Sequence, residues 1–421
     1  RRDEAAGLNT ACYISGYRGS PLGLLDQQLW QARDFLEKHH IKFLPGVNED
    51  LAATAILGTQ QLNMSVGARY DDVFSMWYAK GPGVDRSGDI LRHGNLFGTS
   101  PNGGVLLLAG DDHTCKSSTT AHQTEYAFMD AMIPVLNPAG VQEFLDLGLY
   151  GWAMSRFSGC WTAFKLIAET VDSSASVYVD PYRVDIKIPD DFDMPEGGLG
   201  IRYPDTPLEM EERLHRYKIY AALAFARANK IDKAAIDGPN RRLGIVTCGK
   251  SYLDVRQALE ELGINEDYAR AIGLSIYKVG MTWPLEPEGI RQFCEGLEEG
   301  LVVEEKRAVI ERQLKEQLYN WDADRRPRVI GKFDEEGEWI LPSIGELTPT
   351  QIARVIAKRL GLFHTSSSID DRIKFLEAHE RSLQSNSQNF IRTPYFCSGC
   401  PHNSSTKVPD GSRALSGIGC H

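Results

Sequence analysis

No apolar run in the 421-residue sequence approaches the ~20 residues of a membrane-spanning helix. The longest, GGVLLLAG at 103–110, has the length of a strand. The first residues, RRDEAAGLNT, lack an initiating Met and an apolar signal core, so secretion is not indicated and a cytoplasmic, non-membrane protein is expected. They read as the interior of a longer chain. Basic stripes are missing as well. Lys and Arg are scattered, and a net charge of −11 argues against a nucleic-acid partner. Eight cysteines are too few for a disulfide scaffold. Cys12, Cys115, Cys160, Cys248 and Cys294 stand alone and are expected as small buried hydrophobes. No Ser/His/Asp triad or H-E-x-x-H pattern can be assembled by spacing, and His113 and His122 are expected to be structural.

What is present is an α/β pattern. A chain of this length is expected to fold as two or three domains. Short apolar runs alternate with amphipathic stretches over residues 1–190, as in a parallel sheet covered by helices. NTACYISGY, IKFLPGV, GGVLLLAG and MIPVLNP read as strands, and SASVYVD and RVDIKIP as strands closing the unit. SPLGLLDQQLWQARDFLEKHH reads as a helix, as does NEDLAATAILGTQQLNMSVG with Asn48 as its cap. Residues 191–240 form a Pro/Gly/Asp-rich connection and a long amphipathic helix. A second α/β unit is expected over 241–362, a helical linker over 363–390, and the start of a third unit over 391–421.

Four stretches could carry chemistry. GYRGSPLG at 16–23 is a glycine turn after a strand, without P-loop or dinucleotide spacing, and an ordinary strand–helix turn explains it. Glu49 falls in the first turn of its helix, where a carboxylate suits the helix dipole. Ala52, Ala53 and Ala55 could also let neighbours close over it and bury it, raising its pKa. WYAKGPGVDRSGD at 77–89 gathers Lys80, Asp85, Arg86 and Asp89 in a loop that is either a solvated connector or an active-site rim. GDDHTCKSSTT at 110–120 follows a buried strand, where α/β folds place ligand loops.

The tail, FCSGCPHN followed by GIGCH, sets Cys397 and Cys400 three apart and Cys420 twenty residues later. A zinc site using His402 or His421, and an iron–sulfur site with a fourth ligand elsewhere, fit this spacing equally.

Taken in order, GYRGSPLG, VNEDLAATAILG, WYAKGPGVDRSGD, GDDHTCKSSTT and FCSGCPHN…GIGCH resemble the thiamine diphosphate-dependent 2-oxoacid:ferredoxin oxidoreductases. They are most similar to the indolepyruvate ferredoxin oxidoreductase type in its long fused bacterial form. The resemblance implies a pyrimidine-binding α/β domain, then a domain like the C-terminal domain of transketolase, then a diphosphate- and Mg-binding domain that is cut off here. It implies oxidative decarboxylation of an aryl 2-oxoacid, indolepyruvate-like, to an acyl-CoA, with electrons passing through a [4Fe–4S] cluster to ferredoxin. It assigns Glu49 to the aminopyrimidine ring, Gly19 to the cofactor, Ser20, Lys80 and Arg86 to the substrate, and Cys397, Cys400 and Cys420 to the cluster. A homo-oligomer is expected, using thiamine diphosphate, Mg and coenzyme A. The alternatives are a non-oxidative thiamine-dependent decarboxylase or transketolase-like enzyme, or a non-catalytic subunit of such a complex. Ferredoxins are usually acidic, as this chain is, so docking would need a local basic patch.

Overall fold

Helices cover both faces of a parallel sheet, so its strands can be apolar without alternation. The computed structural model describes residues 1–118, 120–387, 396 and 398–413, with the backbone alone at 384–387. Twelve strands lie among the described residues: β1 (Thr10–Gly16), β2 (Ile41–Phe43), β3 (Asp72–Lys80), β4 (Val105–Asp111), β5 (Val135–Leu136), β6 (Thr162–Ile167), β7 (Lys233–Ile236), β8 (Leu243–Cys248), β9 (Leu274–Val279), β10 (Met281–Trp283), β11 (Glu299–Val303) and β12 (Arg328–Ile330). One sheet has the order β10-β5-β6-β4-β3-β1-β2 and the other β12-β11-β8-β9-β7. Only β10 on β5 and β7 on β9 run antiparallel within them.

The runs VLLLAGD, LGIVTC and LSIYKV are the centres of these sheets and are almost wholly buried. Two strands depart from the expected pattern. β3 begins at a polar Asp and runs straight into Gly-Pro-Gly, so the KGPGVDR stretch is the end of a central strand followed by a helix, Gly81–Arg86. β6 carries Lys165 inside an otherwise neutral strand whose six residues are all buried. SASVYVD and RVDIKIP, expected to close the unit, form no strand. Side chains of other elements satisfy their backbone instead: Tyr178 N donates to Gln142 Oε1 at 2.8 Å and Lys187 N to Asn229 Oδ1 at 2.8 Å.

The expected helix over 20–40 breaks at Ala32 into Leu25–Gln31 and Arg33–Lys38. The long helix after residue 206 starts with a capping box between Thr206 and Glu209 and contains a π-turn at Leu214–Lys218. Lys218 in that turn is fully buried. Its ammonium donates to the carbonyls of Asn95 (3.3 Å) and Leu96 (3.1 Å), near the C-terminus of the helix Gly88–Phe97. Burial pushes its pKa down to about 8.

The two sheets are not separate along the chain. β10 lies between β9 and β11 in sequence, yet pairs with β5 of the first sheet. Asp232 secures this crossing. Its Oδ1 accepts from Gly280 N (2.7 Å) and Met281 N (2.9 Å). The helix Ser367–Ser387, expected as a linker, tucks Ile369, Ile373 and Leu376 against the core of the second sheet. No helix among the described residues is long and apolar enough to cross a membrane.

Candidate functional site

β2, β1, β3 and β4 are neighbours and parallel, so the segments that follow them meet along one rim of the first sheet. In open α/β sheets this rim is where ligands bind. It gathers the glycine turn after β1, the helix Glu49–Thr59 after β2, the helix Gly81–Arg86 after β3, and the polar loop after β4.

Asn48 adopts extended backbone and accepts from Leu51 N at 2.9 Å, which starts the helix with Glu49 as its first residue. The backbone carbonyl of Glu49 accepts from Trp77 Nε1 at 3.1 Å. Among the described residues, nothing hydrogen-bonds or ion-pairs with its carboxylate. The side chain is half-buried, not closed over as the alanines suggested. Ala52 and Ala53 are turned into the core beneath the helix. The small residue beside Glu49 is Gly83, where a β-carbon would fall 2.6 Å from Glu49 Cγ.

Gly19 and Lys80 also come together, a β-carbon at Gly19 falling 2.9 Å from Lys80 Cβ. The Lys80 ammonium donates to the Ser117 carbonyl at 2.5 Å. Arg86 is exposed, and its Nε pairs with Asp50 Oδ2 at 2.9 Å. Ser20 is exposed on the turn. Asp50 and Ser87, which carried no sequence signal of their own, and the polar loop after β4 complete the rim. Asp50 also accepts from Ser87 Oγ at 3.2 Å. His122 Nε2 lies 3.0 Å from Asp85 Oδ2. Asp112 accepts from Ser117 N (2.7 Å) and Lys116 N (2.9 Å). Burial opposes its charge, but these backbone donors hold its carboxyl below the ordinary value.

Behind the rim, the seam between the two sheets buries a cluster of charges. Lys165 Nζ pairs with Glu125 Oε1 at 2.6 Å and lies 3.9 Å from Asp111 Oδ2. Burial opposes the Lys165 charge, but Glu125 and Asp111 outweigh it and keep its pKa above the ordinary value. Burial raises the Asp111 carboxyl to about 6 against the pull of Lys165. His113 is buried with neither ring nitrogen partnered among the described residues, and burial, with Lys165 and Lys306 nearby, holds it well below its usual pKa. A cavity of about 10 Å³, room for about one water molecule, lies between His113, Glu125, Lys165, Ser251 and Glu305.

Of the tail cysteines, Cys400 is half-buried with its Sγ 3.3 Å from His402 Nδ1. Cys397 and Cys420 lie outside the described residues. Among the described residues no three His, Cys, Asp or Glu side chains are grouped to hold a metal. Cys12, Cys160, Cys248 and Cys294 are buried as expected, whereas Cys115 is exposed on the loop after β4.

Residues 232–386 match the family described as the indolepyruvate ferredoxin oxidoreductase middle domain. The indolepyruvate oxidoreductase subunit IorA of Pyrococcus abyssi is 27% identical over 332 residues, covering 76% of this chain and 47% of that protein. IorA of Thermococcus kodakarensis is 26% identical over 373 residues, covering 85% and 52%. The chain thus spans about half the length of the curated relatives it matches. A solved 2-oxoglutarate:ferredoxin oxidoreductase from Magnetococcus marinus shares the fold, with a TM-score of 0.56 at 14% identity over 85% of this chain and 63% of that one.

Proposed function

We propose that this chain, whose middle part matches the indolepyruvate ferredoxin oxidoreductase family, is a thiamine diphosphate-dependent 2-oxoacid:ferredoxin oxidoreductase of the indolepyruvate type, and that its first sheet carries the pyrimidine half of a thiamine diphosphate site. The observation that carries the reading is the Glu49 carboxylate: half-buried, without a partner among the described residues, and set against Gly83 at the carboxyl ends of parallel strands. A carboxylate so placed is a ready acceptor for a nitrogen heterocycle. Gly83 and Gly19 let the Glu49 and Lys80 side chains lie directly against the backbone of the rim, which a β-carbon at either position would prevent. These residues fit the aminopyrimidine.

When bound, thiamine diphosphate would supply the electron sink for decarboxylation. Glu49 would hold a proton between its carboxylate and a ring nitrogen and fix the ring's orientation. Arg86 uses only its Nε on Asp50, which leaves its outer nitrogens for a substrate carboxylate. Lys80, anchored on Ser117, would contribute positive charge at the same mouth, with Ser20 on the turn opposite. The proposed reaction converts an aryl 2-oxoacid, coenzyme A and two oxidised ferredoxins to an acyl-CoA, carbon dioxide, two reduced ferredoxins and a proton. Cys400, with Cys397 and Cys420, is proposed to ligate a [4Fe–4S] cluster. Mg, with the diphosphate, is proposed to bind outside the described residues. A homo-oligomer in the cytoplasm is part of the same proposal.

The test is thiamine diphosphate binding and 2-oxoacid oxidation by the intact protein prepared without oxygen. Glu49→Gln should lower turnover at least ~100-fold, because it removes a general acid–base group. Unchanged turnover in that variant overturns the role of Glu49. An iron-free protein that still decarboxylates without reducing ferredoxin overturns the oxidative reading in favour of a simple decarboxylase.

A further inference from the structure

The loop after β4 is held from two sides. On the rim side, Ser117 O takes the Lys80 ammonium, and His122 lies against Gly81 and Asp85. On the other side, three consecutive residues after β11 reach across from the second sheet. Lys306 donates its ammonium to the carbonyl of His113. Arg307 N donates to Gln123 Oε1 at 3.1 Å, Gln123 Nε2 donates back to Arg307 O at 2.9 Å, and the Arg307 guanidinium lies 4.0 Å over the Tyr126 ring. Tyr126 OH donates to Ala308 O.

Lys306 is the unusual member. Its backbone sits at φ +56, a left-handed conformation that costs a non-glycine residue and persists only where surroundings fix it. It is 7% exposed, so its ammonium is committed to the seam rather than to solvent. The carbonyl it holds belongs to the residue after Asp112. The Asp112 carboxylate in turn gathers the backbone of Lys116 and Ser117, the turn on which Lys80 rests.

We propose that Lys306 is a positioning residue: from the second sheet it fixes the 112–117 turn and, through Ser117, the placement of Lys80 at the mouth of the site. The second sheet is then a clamp on the site and not only a neighbouring unit. The consequence for Lys80 rests on the functional reading above; the hold on the turn does not.

Hydrogen exchange on the intact protein separates the two. Lys306→Gly removes the ammonium while tolerating the left-handed backbone. Peptides covering 112–118 should exchange at least ~10-fold faster, with β4, β8 and β9 unchanged. Lys306→Arg, which keeps a cationic donor, should return exchange close to wild type. In turnover assays Lys306→Gly should raise KM for the 2-oxoacid more than it lowers kcat. If β8 and β9 also lose protection, Lys306→Asn replaces it, since asparagine also tolerates the left-handed backbone and lacks the ammonium, and faster exchange confined to 112–118 is again expected. Unchanged exchange at 112–118 in a folded variant overturns the positioning role. A wild-type protein that binds no thiamine diphosphate overturns the functional reading instead, and the exchange result still decides the role of Lys306.

Discussion

Gly83 packs directly against the Glu49 side chain: a β-carbon at Gly83 would fall 2.6 Å from Glu49 Cγ and 2.7 Å from its Oε1. Neither contact can exist in a real packing, so Gly83→Ala must displace the carboxylate. Both residues lie at the rim and Glu49 can swing toward solvent, and the added contact of 2.9 Å to Ala79 Cβ asks for only a small local shift, so the fold should survive. The expected result is a loss of thiamine diphosphate affinity of ~10-fold or more with a Tm within a few degrees of wild type. Wild-type affinity in that variant would mean that the ligand does not use Glu49.

Lys165 should matter for stability far more than a surface lysine. It is buried between Glu125 and Asp111, whose second carboxylate oxygens have no partner among the described residues. Lys165→Met would leave two buried carboxylates uncompensated, at a cost of about 3–5 kcal/mol. Thermal unfolding should fall by ~5 °C or more. A drop under ~1 °C would show that the cluster is neutral without the lysine.

Asp232 gives a pH dependence with a defined sign. Burial raises its carboxyl from 3.8 to about 7, against the two backbone donors it accepts from. The folded state therefore holds a proton that the unfolded chain has already released. Stability present below pH ~4 is lost as pH rises through about 7. Asp232→Asn keeps an acceptor for Gly280 and Met281 and removes the charge. Its Tm relative to wild type should climb by ~2 °C or more between pH 5 and pH 8. A constant difference across that range would rule out titration of Asp232.

Thiol labelling separates the cysteines by burial. Cys115 is exposed and should react with iodoacetamide in the native protein. Cys12, Cys160, Cys248 and Cys294 should not, because burial closes access and raises their thiols, Cys160 to about 11 and Cys294 to about 12. Mass spectrometry before and after denaturation reads this directly. Native labelling of any of the four would mean that its surroundings open readily.

The central strands were legible where a single run supplied everything a buried strand needs, as in VLLLAGD and LSIYKV. β6 was not, because Lys165 breaks its apolar run. The charge is tolerated only through Glu125 and Asp111, which lie 40 and 54 positions away in sequence. β3 was hidden for a different reason: its end coincides with Gly-Pro-Gly, which reads as a loop although Gly81, Gly83 and Val84 are buried. The reverse error came from SASVYVD, extended and β-branched but paired with helix side chains instead of a strand. Glu49 and the KGPGVDR stretch stood out by composition, yet that Gly83 touches Glu49 is a tertiary fact. Asp85 with His122 and Lys306 with His113 bridge 37 and 193 positions, so no local pattern could announce them.

β10 fixes where this protein can be divided. A cut near residue 240 keeps six strands of the first sheet but strips β5 of its antiparallel partner. The bared edge would present free amides and carbonyls to any other extended chain. The same cut separates Asp232 from the Gly280 and Met281 amides that it holds. Expression of the first sheet alone should therefore yield a self-associating product, while fragments running past Trp283 keep that edge covered.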